Sequence, residues 1–209
     1  YAPHGAIACQ DREIEAEQYP ALLELCRAAM LCNDAEVRLR NDGWMMQGDP
    51  TEGALVTLAL KAGLDPAFER ESLPRTDVIP FESEHRFMAT LHHDHAGHAW
   101  VYLKGAPEAV LVRCEQQRNA AGETSALDAG FWHARNEVMA SDGLRVLAIA
   151  VKEVPVDKLE LLFDDAAQGF VLLGLAGIID PPREEAIRAV AQCKRAGIQV
   201  KMITGDHVV

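Results

Sequence analysis

Ile79-Pro80-Phe81-Glu82-Ser83-Glu84-His85-Arg86-Phe87-Met88 interrupts a strand-like run with a proline, presents an aromatic ring, and returns to apolar residues after a cation. Two readings fit it. A flat heterocycle can lie on Phe81 with an anionic tail near Arg86, or Phe81 is core while Glu82, Glu84 and Arg86 form a solvated face. The flanking sequence fixes the setting. Asp77 to Phe81, Arg86 to His92 and His98 to Leu103 read as strands, the last two joined by the turn-like His93-Asp94-His95-Ala96-Gly97.

Working outward, Lys104-Gly105-Ala106-Pro107-Glu108 closes the third strand, and Pro107 suits the first turn of a helix carrying Val110, Leu111 and Cys114. Gly105 allows another group to approach the backbone, with Lys104 beside that gap. Gln116 to Glu123 reads as polar loop. Leu127 to Ser141 reads as a helix burying Phe131, Trp132, Val138 and Met139, stopped by Gly143. Leu144 to Val151 and Phe170 to Ile179 are apolar strands. Only Arg145 breaks the first, either at a sheet edge or aimed into a site.

Upstream, residues 1–18 read as loop or short strand, and a helix begins near Pro20 with Leu22, Leu23, Cys26, Ala29 and Met30 at helical spacing. Trp44-Met45-Met46 reads as a short strand. Asp49 or Thr51 caps a helix reaching about Ala62 and ended by Gly63, and Glu52 in its first turn suits the helix dipole. Downstream, the grammar changes at Asp180-Pro181-Pro182-Arg183. A helix over Glu184 to Ala196 and a strand over Ile198 to Ile203, ending in Thr204-Gly205-Asp206, form a parallel α/β unit. The expected fold is therefore α+β. An antiparallel sheet flanked by helices occupies residues 1–178, and a short Rossmann-like α/β segment with a prolyl hinge occupies 179–209.

With 20 Lys and Arg against 32 Asp and Glu, the chain carries a formal charge of −12 and no clustered basic surface for a nucleic-acid backbone. Its 5 cysteines, Cys9, Cys26, Cys32, Cys114 and Cys193, are scattered and suit free thiols in a reducing compartment. The longest apolar run, Gly169 to Ile179, falls short of the roughly 20 residues that span a bilayer. Without an initial methionine, the sequence reads as an excised piece of a longer chain.

The nucleotide-wrapping loops G-x-x-x-x-G-K-[ST] and G-x-G-x-x-G do not occur. His92, His93, His95 and His98 invite a metal, but a native site needs fixed geometry and usually a carboxylate or cysteine as well, so no metal is expected. Glu52, Phe81, Arg86, Lys104, Gly105 and Arg145 remain, together with Asp180, Arg183, Thr204 and Asp206. These supply a stacking ring, polar edge groups, a close backbone and outlying cations.

Gly48-Asp-Pro-Thr-Glu-Gly-Ala-Leu55, Pro80-Phe-Glu-Ser-Glu-His-Arg-Phe-Met88, Leu103-Lys-Gly-Ala-Pro-Glu108, Gly143-Leu-Arg-Val-Leu-Ala148, Asp180-Pro-Pro-Arg183 and Met202-Ile-Thr-Gly-Asp206 follow in order. Together they resemble the successive motifs of P-type cation-transporting ATPases of the Ca²⁺- and Na⁺/K⁺-pump class. The resemblance implies the cytoplasmic nucleotide-binding domain and the re-entry into the phosphorylation domain. It implies that Phe81 stacks on adenine, Glu52 reads the base edge, and Lys104 with Gly105 lines the pocket. Arg86 and Arg145 would lie along the phosphates. Asp180 and Arg183 would belong to the hinge, and Thr204, Gly205 and Asp206 would face the γ-phosphate.

The family commonly has lysine where Arg86 stands, and some relatives carry a basic residue in place of Ser83. The family's phosphorylated aspartate lies in Asp-Lys-Thr-Gly-Thr, which does not occur in these 209 residues. ATP binding without hydrolysis is therefore expected of this piece, with Mg²⁺ accompanying the nucleotide in the intact enzyme. Its expected partners are ATP and the phosphorylation, actuator and transmembrane domains of its parent. The piece itself would be a soluble monomer, held in the parent at the cytoplasmic face of a membrane. A fragment of a phosphohydrolase of the same Rossmann-like type and a His-rich metal module are the alternatives.

Overall fold

The computed structural model describes residues 2–41, 43–179 and 184–201. A small hairpin, β1 (Ile7–Cys9) and β2 (Arg12–Ile14), precedes helix α1 (Pro20–Leu31). A second hairpin, β3 (Glu36–Arg40) and β4 (Gly43–Gln47), leads into α2 (Pro50–Lys61) and the short α3 (Pro66–Ser72). Next come β5 (Arg75–Ile79), β6 (Phe87–His93), β7 (Ala99–Gly105) and α4 (Pro107–Leu111). They are followed by β8 (Cys114–Arg118), β9 (Thr124–Ala126), α5 (Ala129–Ser141), β10 (Arg145–Val154), β11 (Phe170–Ile178) and α6 (Glu184–Arg195).

Seven strands form one sheet in the order β5-β6-β7-β10-β11-β8-β9. Every pairing in it is antiparallel except that of β11 with β8. The fold is α+β with helices on both faces of the sheet, as the sequence predicts. Strand alternation divides the core into two layers. Met88, Tyr102, Ile149 and Val151 pack with Cys26, Met30, Leu55 and Val56 of α1 and α2. Phe87, Ala89, Leu91, Val101, Leu103 and Ala150 form the opposite layer with Val110 and Leu111 of α4. A bulge between Ile149 and Ala150 brings Gly174 beneath α1, where an added Cβ would lie 2.7 Å from a Leu25 methyl.

Local signals place the helix boundaries well. Asp49 caps α2 by accepting from the Thr51 and Glu52 amides at 2.8 and 3.3 Å. Pro20, Pro50 and Pro107 each occupy the first turn of their helix.

Several expectations need correction. The stretch Gln116 to Glu123, read as loop, contributes to β8 and lies beside β9, a polar pair at the sheet edge. Strand β3 and helix α3 were not foreseen. Helix α5 leaves Phe131 and Val138 exposed. Trp132 and Met139 form a separate stripe, about 100° round the helix, and Trp132 alone of these four packs on the core. Strand β5 stops at Ile79, and Phe81 is 58% exposed, which removes the core alternative. Residues 198–201 form no ladder, since no strand among the described residues pairs with them. The expected hinge and phosphate-facing residues Asp180, Arg183, Thr204, Gly205 and Asp206 lie outside the described residues.

Candidate functional site

A cavity of about 530 Å³ opens where α2, the Pro80–Arg86 loop and the ends of β7 and β10 meet. Its lining includes Glu52, Phe81, Lys104, Gly105 and Arg145, five of the expected residues. Asp34, Asp49, Thr51, Pro80, Met88 and Leu147 complete it.

Lys104 sits in an otherwise apolar rung, opposite Met88 on one side and Ile149 on the other. It is only 5% exposed. A buried ammonium requires a partner, and Lys104 Nζ donates to Glu52 Oε1 at 2.6 Å across 52 residues of chain. The other carboxylate oxygen, Oε2, accepts from the Asp34 amide at 3.2 Å. Glu52 lies in the first turn of α2, where the helix dipole favours a negative charge. A donor and an acceptor are thus fixed side by side in the cavity wall.

Gly105 shows why its side chain is a hydrogen. An added Cβ would collide with Arg86 O and lie 2.7 Å from Phe87 Cα. Its φ is not positive, so the requirement is close approach between neighbouring strands. Arg145 starts β10 beyond that strand's last rung with β7, Ala148 opposite Gly105. Its Nη1 donates to Thr51 Oγ1 at 2.9 Å, which aims the guanidinium along α2 and into the cavity lining.

Arg86 is placed differently. It is one of the non-glycine residues with positive φ, at 57°, and its guanidinium pairs with Glu108 at 2.6 Å, outside the cavity lining. Both partners are about half exposed. Asp34, Thr51, Met88 and Leu147 were not anticipated in the site. Strand alternation could have flagged Met88, which shares the Lys104 face, whereas nothing local marks Asp34.

The four histidines do not converge. His92 Nδ1 donates to Leu73 O at 2.9 Å, and His93 bonds Thr76 Oγ1 and Val156 O. His95 reaches Glu71 O and His98 reaches Asp94. Among the described residues, no group of three or more His, Cys, Asp or Glu side chains is arranged to hold a metal. Burial pushes the His92 imidazole down to about 4, partly countered by its bond to Leu73.

The site thus combines a buried Lys–Glu pair, an exposed aromatic ring and an arginine around one cavity beside a mixed sheet flanked by helices. The family of the P-type ATPase cytoplasmic domain N matches residues 21–185, and the chain belongs to that family. It is 48% identical over 189 residues to the cation-transporting ATPase pma1 of Synechocystis sp., covering 90% of this chain and 21% of that protein. The calcium-transporting ATPase of Bacillus subtilis is 32% identical, covering 100% of this chain and 24% of its own length. The probable cation-transporting ATPase F of Mycobacterium bovis is 39% identical, covering 99% and 23%. The chain thus spans between a fifth and a quarter of these relatives. No helix among the described residues is long and apolar enough to cross a membrane.

Proposed function

We propose that this chain is the ATP-binding module of a P-type cation-transporting ATPase. The observation that carries the reading is the Lys104–Glu52 pair set in the wall of the cavity that the exposed Phe81 ring also lines. Adenine presents an amino donor beside a ring-nitrogen acceptor, which complements a carboxylate beside an ammonium. Phe81 supplies the stacking face, and the Gly105 backbone borders the same cavity. Met88 and Leu147 give the base an apolar floor, as small-molecule sites commonly do.

Arg145 lines the same cavity and would hold phosphate. Arg86 would join it after leaving Glu108, a half-exposed pair that costs little to break. Mg²⁺ would accompany the phosphates and neutralise their charge.

On this reading residues 1–178 form the nucleotide-binding domain, while 179–209 hold the hinge and the start of a Rossmann-like phosphorylation domain. Asp180 and Arg183 would serve the hinge, and Thr204, Gly205 and Asp206 would face the γ-phosphate. The phosphorylated aspartate and the ion path would lie elsewhere in the parent, so this chain binds ATP and presents it at the cytoplasmic face of the membrane.

Calorimetric titration of ATP into the wild type and Phe81→Ala tests the proposal. Base stacking on an aromatic ring is worth roughly 1–3 kcal/mol, so the variant should bind about 5- to 150-fold more weakly. Equal affinity of the two proteins would remove Phe81 from the site.

A further inference from the structure

The Phe81 ring sits on a loop and is 58% exposed, so something must hold it in position if it is to serve as a platform. The loop's own turn contributes one bond, from the Arg86 amide to Glu82 O at 2.8 Å. A second comes from a side chain. His85 Nε2 lies 3.0 Å from Pro80 O, and because a carbonyl only accepts, Nε2 carries the proton and donates. That carbonyl belongs to the planar Pro80–Phe81 peptide, so fixing it fixes the plane from which the Phe81 side chain departs.

The imidazole is itself clamped. Phe87, 1% exposed, lies 4.6 Å away between ring centroids at 59°. Phe163 meets the imidazole edge-on at 5.1 Å and 81°. Phe163 is 57% exposed and opens a short 3-10 turn, Phe163–Ala166, far along the chain. The start of that turn is tied down twice. The Leu162 amide donates to Asp165 Oδ2 at 2.8 Å, and the Leu161 amide donates to Asp77 Oδ2 at 2.8 Å. Asp77 lies on β5, the strand that runs directly into Pro80.

The contacts therefore close a circuit from β5 through Asp77, Leu161, Phe163 and His85 back to the Pro80 carbonyl. We propose that His85 and Phe163 are positioning residues that pre-order the Phe81 ring for the base. The proposal rests on the reading of Phe81 given above. It assigns the segment before β11 a part in binding although it does not line the cavity.

Two measurements test it. In the protein without nucleotide, the heteronuclear NOE of the Phe81 amide should drop in Phe163→Ala and in His85→Ala, and recover in Phe163→Tyr. Because Phe163 is largely exposed, these changes should leave the thermal midpoint close to that of the wild type. In ATP titrations, Phe163→Ala and His85→Ala should each weaken binding about fivefold, the usual scale for one group left to be ordered on binding. The double variant should be no weaker than either single one, and Phe163→Ala should add nothing in a Phe81→Ala background. An unchanged Phe81 NOE, or a Phe163→Ala loss that persists without the Phe81 ring, would overturn the brace. If Phe81→Ala itself left ATP binding intact, the platform reading would fall, and the loop measurement would still report whether the circuit orders Phe81.

Discussion

The paired strands β6 and β7 carry reactive side chains at both ends, and the two ends behave in opposite ways. At one end Lys104, Glu52, Phe81 and Arg145 arrive from different elements and border one cavity. At the other, His92, His93, His95 and His98 stand close in sequence, yet each turns to a nearby acceptor or hydroxyl of its own. Density of functional groups along a chain is therefore a poor guide to a site. A site forms where side chains from separate elements share a space and leave hydrogen-bonding capacity facing it.

The contrast can be broken at either end, and the largest effect should come from Lys104→Met. Breaking a buried ion pair by removing one partner costs about 3–5 kcal/mol, and the partly accessible Glu52 carboxylate brings the expected loss to about 3 kcal/mol. Urea denaturation would measure it, and ATP binding should fall with it. A variant as stable as the wild type would mean that Lys104 is not held as a buried charge.

At the histidine end the main effect should be on pH dependence. The His92 pKa is lowered from 6.5 to about 4 by burial, so the fold holds the neutral ring. A depressed folded-state value gives stability that is complete above pH 6.5 and is lost as pH falls from there through 4. At 1.36 kcal/mol per pKa unit the loss approaches about 3 kcal/mol by pH 4. His92→Leu should flatten that part of the urea midpoint against pH, and an unaltered slope would place the titrating group elsewhere.

A smaller effect is expected from Glu108→Gln, which frees Arg86 from a pair worth at most about 1 kcal/mol. Affinity for ATP should rise about threefold while that for adenosine stays the same. A parallel gain for adenosine would show that Glu108 acts on the base and not on the phosphates. Least of all should happen on combining His93→Ala, His95→Ala and His98→Ala. ATP titration should return the wild-type affinity, and a clear loss would show that the two ends of the strand pair are coupled.

What was legible in the sequence followed how local each cause is. The Asp49 cap, the helix-starting prolines and the strand-like runs of β6, β7 and β10 all act within a few residues, and all were readable. Strands β8 and β9 were not. Their sequences, Cys-Glu-Gln-Gln-Arg and Thr-Ser-Ala, lack an apolar period, and their order comes from pairing with β11 and with each other. The Gln117 side chain then accepts from the Asp128 amide and the Trp132 indole, fixing the start of α5. Helix α5 misled because its apolar residues form two stripes. In the site, the residue types of the Lys104–Glu52 pair were visible but their contact spans 52 positions. The Arg86–Glu108 pair depends on a left-handed backbone that spacing does not reveal.

Cys32 ends α1 directly beneath the cavity rung, where its thiol donates to the Met88 and Tyr102 carbonyls at 3.4 and 3.6 Å. Burial raises its pKa, as it raises Cys26 to about 11 and Cys114 to about 12, while Cys9 is exposed and Cys193 intermediate. A thiol so placed reacts only when the structure above it parts. Its alkylation rate is therefore a stopwatch for the opening of the cavity floor, with Cys114 in the opposite layer as its control. Ligands that close the floor should slow the first clock and leave the second running.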